Sequence, residues 1–280
     1  MTGLIRSELR KAFTTRTGWG MPLAQFLLAA VFVGITATFM LFVSVPGPTG
    51  EGGGAPLADS LDPAVLARTI YTGGLQVGYL LSLVLGILSM GTEYRHKTLT
   101  ATFLASPRRG RVITSKVVAL TLVVVINGLA HLAGALITGG AMLMAADRAV
   151  FPDAGDLIGV LARLLLVLVL WGLMGLGLGV LIPNQVAALF VGVAFAFLIE
   201  PLLGVFIGMV DSLADVARFF PSQASSAALS LFQGMDATTI EQAGGNPDQL
   251  SWWVAALVLL GYAAVMTLIG WVLTQRRDVG

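Results

Sequence analysis

The chain has 280 residues, of which 56% are hydrophobic and only 11% charged, against about 25% charged in soluble domains. Sixteen basic and fifteen acidic side chains cannot cover a soluble globule of this size, and mean hydropathy is +0.89. Those figures exclude a disordered chain, a coiled coil and a soluble enzyme. The long unbroken apolar runs exclude a β-barrel, whose strands alternate over about ten residues. A net charge of +1 gives no field for nucleic acid, and the absence of cysteine removes disulfides and thiolate chemistry.

A bilayer core of about 30 Å needs roughly 20 apolar helical residues to cross it. Residues 4–13 come first as a short helix. Ile5, Leu9, Ala12 and Phe13 share one face, and Arg6, Arg10 and Lys11 fall largely elsewhere. The pattern predicts an interfacial helix within residues 1–20, with its bases toward anionic lipid. Six candidate spans follow, at Met21–Val45, Ile70–Met90, Val112–Ala146, Leu157–Ile182, Val186–Val210 and Trp252–Thr274. The first is too long for a cleaved signal and reads as a retained span. The third is too long for a simple crossing, and tilting or a turn at Gly139-Gly140 would accommodate it.

Between the spans, residues 46–69 form a Pro/Gly-rich loop without chemistry, and residues 91–116 form the one substantial loop on the other side. The fourth and fifth spans are joined by Pro183, Asn184 and Gln185 alone, so no enzyme domain fits there. Residues 211–251 are the longest polar segment. Ser222 is placed to cap a short helix there, with Ala224, Ala227, Ala228 and Leu231 on one face and Gly234 as its stop. Such a segment can dip back into the bilayer.

Twelve of the sixteen Lys and Arg residues lie at the termini or in the 91–116 loop. Three lie on the opposite side, which holds eleven of the acids, and Arg163 lies within a span. The positive-inside rule therefore places both termini in the cytoplasm of a multi-pass protein of the cytoplasmic membrane. The fold class expected is all-α, a single transmembrane domain over residues 1–280.

No G-x-x-x-x-G-K-[ST] occurs, so the chain has no P-loop of its own. Gly175, Gly177 and Gly179 read as small-residue helix packing rather than a nucleotide fingerprint. His96 and His131 have no ligand-spaced partner, so no metal site is expected.

Two intramembrane features stand out. An ionised group at the bilayer centre costs about 2.5–3.5 kcal/mol on insertion scales, so Arg163 and Glu200 each need a partner. Counting about 1.5 Å per residue from the expected span ends puts both about 9 Å from the same face, which predicts an ion pair. Pro201 should kink the fifth span beside it. A clamp between helices and a gate both fit such a pair. Asn127, His131, Gly134 and Thr138 form a polar and small stripe on the third span, which fits either helix packing or a translocation route.

In the 91–116 loop, Thr98 can cap a short helix through Ala105, which Ser106-Pro107 ends. Leu99 and Phe103 are i, i+4 neighbours with Leu104 alongside, an apolar ridge flanked by Arg95, Lys97, Arg108 and Arg109. A ridge of this kind suits a groove on a cytoplasmic partner, and a basic loop held by lipid phosphates fits equally.

Glu93-Tyr94, Thr98, the hydrophobic stretch through Leu104, then Pro107, Arg108 and Arg109, and Lys116 entering the third span, resemble the signature of bacterial type-2 ATP-binding-cassette permeases. Six spans, an amphipathic N-terminal helix and Phe219-Phe220-Pro221-Ser222 before the last span extend the likeness over nearly the whole chain. The resemblance implies a permease dimer of two copies or homologues, each docked on a separate soluble ATPase subunit that binds ATP and Mg. It implies that Thr98–Ala105 is a coupling helix within residues 91–111. Glu93 would anchor it, Tyr94, Leu99, Phe103, Leu104, Pro107 and Arg108 would form the contact, and Pro183–Gln185 would be a lesser one. The chain would then not be an enzyme by itself and would hold no cofactor. The expected function is outward movement of an amphipathic or lipophilic substrate. A stand-alone secondary transporter or channel, and a non-transport membrane scaffold or sensor, are the alternatives.

Overall fold

The computed structural model describes residues 2–45, 55–95, 109–208, 214–234, 240 and 248–276, and the chain there is overwhelmingly helical. Helix α1 (Thr2–Thr14) ends at extended Thr15, and α2 (Arg16–Phe42) follows. Ser44–Val45 then pairs antiparallel with Ala55–Pro56, a two-residue closure and not a sheet-forming core. A 3-10 turn at Leu57–Asp59 leads into α3 (Pro63–Tyr71). Asp62 Oδ1 accepts from the Ala64 N–H at 2.8 Å and Pro63 takes the first helical turn, where its missing N–H costs nothing. That helix begins inside the expected 46–69 loop and runs into the expected second span. Its signal, Asp-Pro before an apolar run, was present in the sequence.

Helix α4 (Leu75–Arg95) continues after a break at Thr72–Gly74. Helix α5 (Arg109–Ala145) runs unbroken through Gly139 and Gly140, so of the two accommodations weighed for the long third span, a tilt or a turn, the turn is absent. The two glycines serve packing instead: a Cβ on Gly139 would come within 2.8 Å of the Tyr71 ring. Helix α6 (Ala154–Leu181) begins at an Asp153 cap, three residues before the expected start of the span. Asn184 caps α7 (Gln185–Ala194) by accepting from Val186 and Ala187 N–H groups. A π-helical turn at Phe195–Ile199 passes into α8 (Glu200–Gly208). Pro201 explains the turn. It cannot donate to the carbonyl four residues back, and the Glu200 N–H bonds Phe195 O instead. The short α9 (Ala214–Ala217), α10 (Pro221–Ala228) and the last helix α11 (Trp252–Arg276) complete the described chain.

Among the described residues, six helical runs are long and apolar enough to cross a membrane: Gly18–Phe42, Pro63–Glu93, Thr114–Ala145, Ala154–Leu181, Gln185–Gly204 and Trp252–Leu273. The protein is multi-pass and α-helical. One end of the bundle carries α1 with Lys11 and Lys116, and the other carries Asp59, Asp153 and Asp156; they are called here the basic and acidic ends.

The fourth run is the hub. Its most apolar stretch is 72% buried, against 17% for the last run, and α4, α5, α10 and α11 all pack on α6. Leu164, Leu168 and Trp171 of α6 meet Tyr79, Leu83 and Ile87 of α4, with Tyr79 stacked on Trp171 at 4.1 Å between centroids. A second core joins α2, α3 and α5 through Val33, Ala37, Ile70, Tyr71, Ala135 and Leu143. Phe190, Phe197 and Phe206 of α7–α8 and Leu257 and Leu268 of α11 face outward, as lipid-facing helices require.

Between helices in lipid there is little hydrophobic driving force, so close van der Waals approach carries the packing. Glycine provides it here. An added Cβ on Gly175 would collide with the Leu83 carbonyl oxygen, and one on Gly86 with the Gly172 carbonyl oxygen. Gly261 has open space around it. Gly175→Ala and Gly86→Ala should each cost about 1–3 kcal/mol through overpacking against backbone, read as a lower thermal midpoint in detergent. Gly261→Ala should leave the midpoint unchanged or raise it. Equal midpoints for all three variants would contradict the close-packed seam.

Candidate functional site

At the basic end, four charged side chains from three helices close into one cluster. Lys116 Nζ donates to Glu93 Oε1 at 2.6 Å and to Glu8 Oε2 at 2.8 Å. Lys11 Nζ donates to Glu8 Oε1 at 2.8 Å and to Glu93 Oε1 at 3.1 Å. Glu93 and Lys116 are both buried. Glu93 sits near the end of α4 and Lys116 near the start of α5, so they stand at the two feet of the loop between these helices. Glu8 and Lys11, one turn apart, tie those feet to α1. A buried pair survives desolvation only when further hydrogen bonds satisfy it, and the second pair supplies them. Glu93 Oε2 has no partner among the described residues.

At the acidic end, the segment 221–234 is gripped at four positions. Glu200 Oε1 accepts from the Ser222 N–H at 2.6 Å. Trp171 Nε1 donates to Ser225 Oγ at 2.8 Å. Arg163 Nη1 donates to Ser230 Oγ at 3.0 Å, and Arg68 Nη2 donates to Gln233 O at 2.8 Å. Trp171 lies seventeen residues beyond the start of α6, about 25 Å along its axis at 1.5 Å per residue. The segment therefore packs alongside the interior of a membrane-length helix.

The expected Arg163–Glu200 pair does not form. Among the described residues no ion pair joins them. Arg163 reaches back to Gly159 O at 3.1 Å and to Asp156 Oδ1 at 3.8 Å, besides Ser230. Glu200 turns to α10 and keeps Oε2 without a partner. The depth count from the expected span ends missed the three extra residues at the head of α6 and the π-turn ahead of Glu200. The cap of α10 is also different from expectation. Phe220 occupies the N-cap position with no side-chain bond, and the carboxylate of Glu200 takes that role for Ser222 from another helix. The helix stops at Ala228, before Gly234. Ser230 adopts a left-handed φ of 52°, and the Leu231 N–H closes on Ser226 O at 3.1 Å.

The interior stripe on α5 is in contact with two helices. His131 is fully buried, with Nδ1 3.1 Å from Gln25 Oε1, so Nδ1 carries the donated hydrogen. Gln25 Nε2 donates to Gly78 O at 3.1 Å, which Ser82 Oγ also reaches at 3.0 Å. Asn127 Nδ2 donates to Val123 O of its own helix at 2.8 Å. A Cβ on Gly134 would strike the Phe26 carbonyl oxygen, and Thr138 Cγ2 packs near Gly34. The stripe packs α5 on α2 and α4.

Thr98, Leu99, Phe103, Leu104, Pro107 and Arg108 lie outside the described residues. Tyr94 lies on α4, near its end. Sequence reasoning missed Glu8, Lys11, Arg68, Gln25 and Ser225. Glu8 and Lys11 carried a signal, opposite charges three residues apart on a short helix. The others are paired across distant segments and left none.

Residues 59–280 match the family described as a protein of unknown function (DUF2705), and the chain belongs to that family. The match takes in five of the six membrane-length runs and leaves out α1 and α2. No curated protein matches the chain.

The cluster makes the seat of α1 sensitive to pH at both extremes. Burial pulls the Glu8 carboxyl upward, but Lys116 and Lys11 outweigh it and hold it below its ordinary 4.5. Burial pulls the Lys11 ammonium down, but Glu8 and Glu93 outweigh it and hold it above its ordinary 10.5. The Glu8 contribution is full above pH 4.5 and is lost as pH falls through its lower folded value. The Lys11 contribution is full below pH 10.5 and is lost as pH rises through its higher folded value. A nitroxide on Ser7→Cys, an exposed site in a cysteine-free chain, should be least mobile between those limits and loosen beyond each. Mobility unchanged below pH 4.5 would contradict the Glu8 contact.

Proposed function

We propose that the chain is the membrane-spanning permease subunit of an ATP-driven exporter of the ATP-binding-cassette type. The observation that carries this reading is the buried Glu93–Lys116 bond across the feet of the 96–108 loop, tied through Glu8 to α1. A separate ATPase that grips the ridge of Leu99, Phe103 and Leu104 pushes on α4 and α5 as one body. Two helices joined by a short, paired, buried bond cannot be displaced independently without stranding a charge. The push also reaches α1, whose apolar residues and outward Arg6 and Arg10 fit a helix lying in the lipid headgroup region.

The rest of the proposal follows from the charge pattern and the resemblance. Both termini are cytoplasmic, in the cytoplasmic membrane, because Lys and Arg gather at the basic end. ATP and Mg are bound by the soluble ATPase, and a second permease copy or homologue completes the transporter. The segment 211–251 is external, and its 221–234 part is re-entrant, being gripped along α6 at Arg163 and Trp171. The substrate is amphipathic or lipophilic and moves outward. Asn127, His131 and Thr138 hold helices together rather than line its route.

Phe103→Asp puts a charge without a partner into the proposed contact, and losing a central apolar anchor typically costs 2 kcal/mol or more. The full chain carrying this substitution, co-expressed with a soluble P-loop ATPase that co-purifies with the unaltered chain, should lose co-purification, or about tenfold or more of the hydrolysis that substrate stimulates. A complex that purifies intact with stimulated hydrolysis would contradict the assigned coupling ridge.

A further inference from the structure

Glu200 is placed oddly for a structural residue. It is 1% exposed, inside the membrane-length run Gln185–Gly204 and four residues from its end, and one of its two oxygens, Oε2, has no partner among the described residues. Its other oxygen accepts from the Ser222 N–H at the start of α10. The residue that should cap this helix, Phe220, has no side-chain acceptor. A Ser, Thr, Asn or Asp at that position would cap the helix locally. The helix depends instead on an ionisable group brought from α8, positioned by the π-turn and Pro201.

We propose that Glu200 is a proton-binding latch for the segment 221–234. Ionised, the carboxylate holds the N-terminus of α10 through a charge-assisted bond and through its attraction to the positive end of the helix. Taking a proton from water on the free Oε2 leaves a neutral carboxylic acid. Oε1 then accepts only a neutral hydrogen bond, roughly half as strong, and the attraction to the helix end is gone. The segment loosens from α6, and the Trp171–Ser225 and Arg163–Ser230 bonds that share its seat are strained with it. Loss of the proton to water restores the latch. The ligand is a proton, and the inference does not depend on the permease reading.

The groups that face Glu200 leave its charge decisive. From α4 and α11 the titratable residues within electrostatic range are Tyr79 and Tyr262, phenols that stay uncharged below about pH 10. From α10 it meets Ser222, and from α6 the neighbouring side chain is Trp171. Arg163 is engaged elsewhere by Asp156, Gly159 and Ser230.

The test uses the full chain in lipid nanodiscs with single cysteines, against a background that has none. Ala227→Cys reports on the buried face of α10, and Ala154→Cys is an exposed reference. The ratio of their rates with a water-soluble thiosulfonate cancels the effect of pH on thiol reactivity. As pH falls from about 9 to about 4 the ratio should rise about fivefold or more, the factor that halving one charge-assisted bond gives. Glu200→Gln keeps the acceptor but not the charge, and its ratio should be high and flat with pH. Should Glu200→Gln fail to fold, Ser222→Pro removes the donated N–H within the first helical turn, where proline is tolerated, and should give a raised ratio. A ratio independent of pH in the chain with Glu200 would overturn the latch. So would an unaltered pH response in Glu200→Gln, or a response to sodium at fixed pH in place of protons.

Discussion

A charge that leaves water must find another charge or a set of donors, and that constraint arranges both ends of this bundle. Lys116 is the clearest case. It lies at the head of the long α5, is buried, and is neutralised only because Glu93 and Glu8 arrive from two other helices. The requirement fixes where α4 ends relative to α5 and where α1 docks on both. At the opposite end Arg68, Arg163 and Glu200 impose the same requirement on the segment 221–234, which meets it with backbone groups and hydroxyls instead of opposite charges. The first arrangement is a rigid ionic knot. The second is a row of single hydrogen bonds, weaker at each point and easier to release.

Between these ends runs α6. Its neighbours approach so closely through Gly86, Gly172 and Gly175 that backbone meets backbone. A seam of this kind resists shear, because every shift along it closes a contact with no side chain able to yield. A push at the basic end, as the proposed function requires, would be carried along α4 and α6 as rigid bodies. The outer helices differ. The last run and the fifth bury little of their surface and face outward with large apolar side chains, although α11 still approaches α6 closely through Gly177 and Gly270.

The architecture was legible in the sequence because a membrane helix announces itself locally. Length and apolarity located all six runs, while the caps Asp153 and Asn184 went unread although both are of the usual kind. What escaped was information held between distant residues. The fold of 63–71 was missed because Asp62-Pro63 was counted as loop beside a Pro/Gly-rich stretch. The pairing of Arg163 with Glu200 was inferred from depth and opposite sign. Depth is a one-dimensional coordinate, and the π-turn rotates Glu200 about the helix axis toward α10. Glu93 stood out for its place in the loop, but its partner Lys11 lies 82 residues earlier on a helix whose docking no local pattern encodes.

The central claim is that Glu93 and Lys116 bind the two feet of the loop into one body. A double-mutant cycle of Glu93→Gln and Lys116→Met on thermal unfolding of the full chain in detergent tests it most directly. Removing Lys116 alone leaves two carboxylates facing each other with only the more exposed Lys11 to share, and breaking a buried pair commonly costs about 3–5 kcal/mol. The account predicts that the double variant is markedly less damaged than the sum of the single ones, with a coupling of about 1–3 kcal/mol. Losses that simply add would contradict it, because two residues that do not share a bond have no reason to rescue one another.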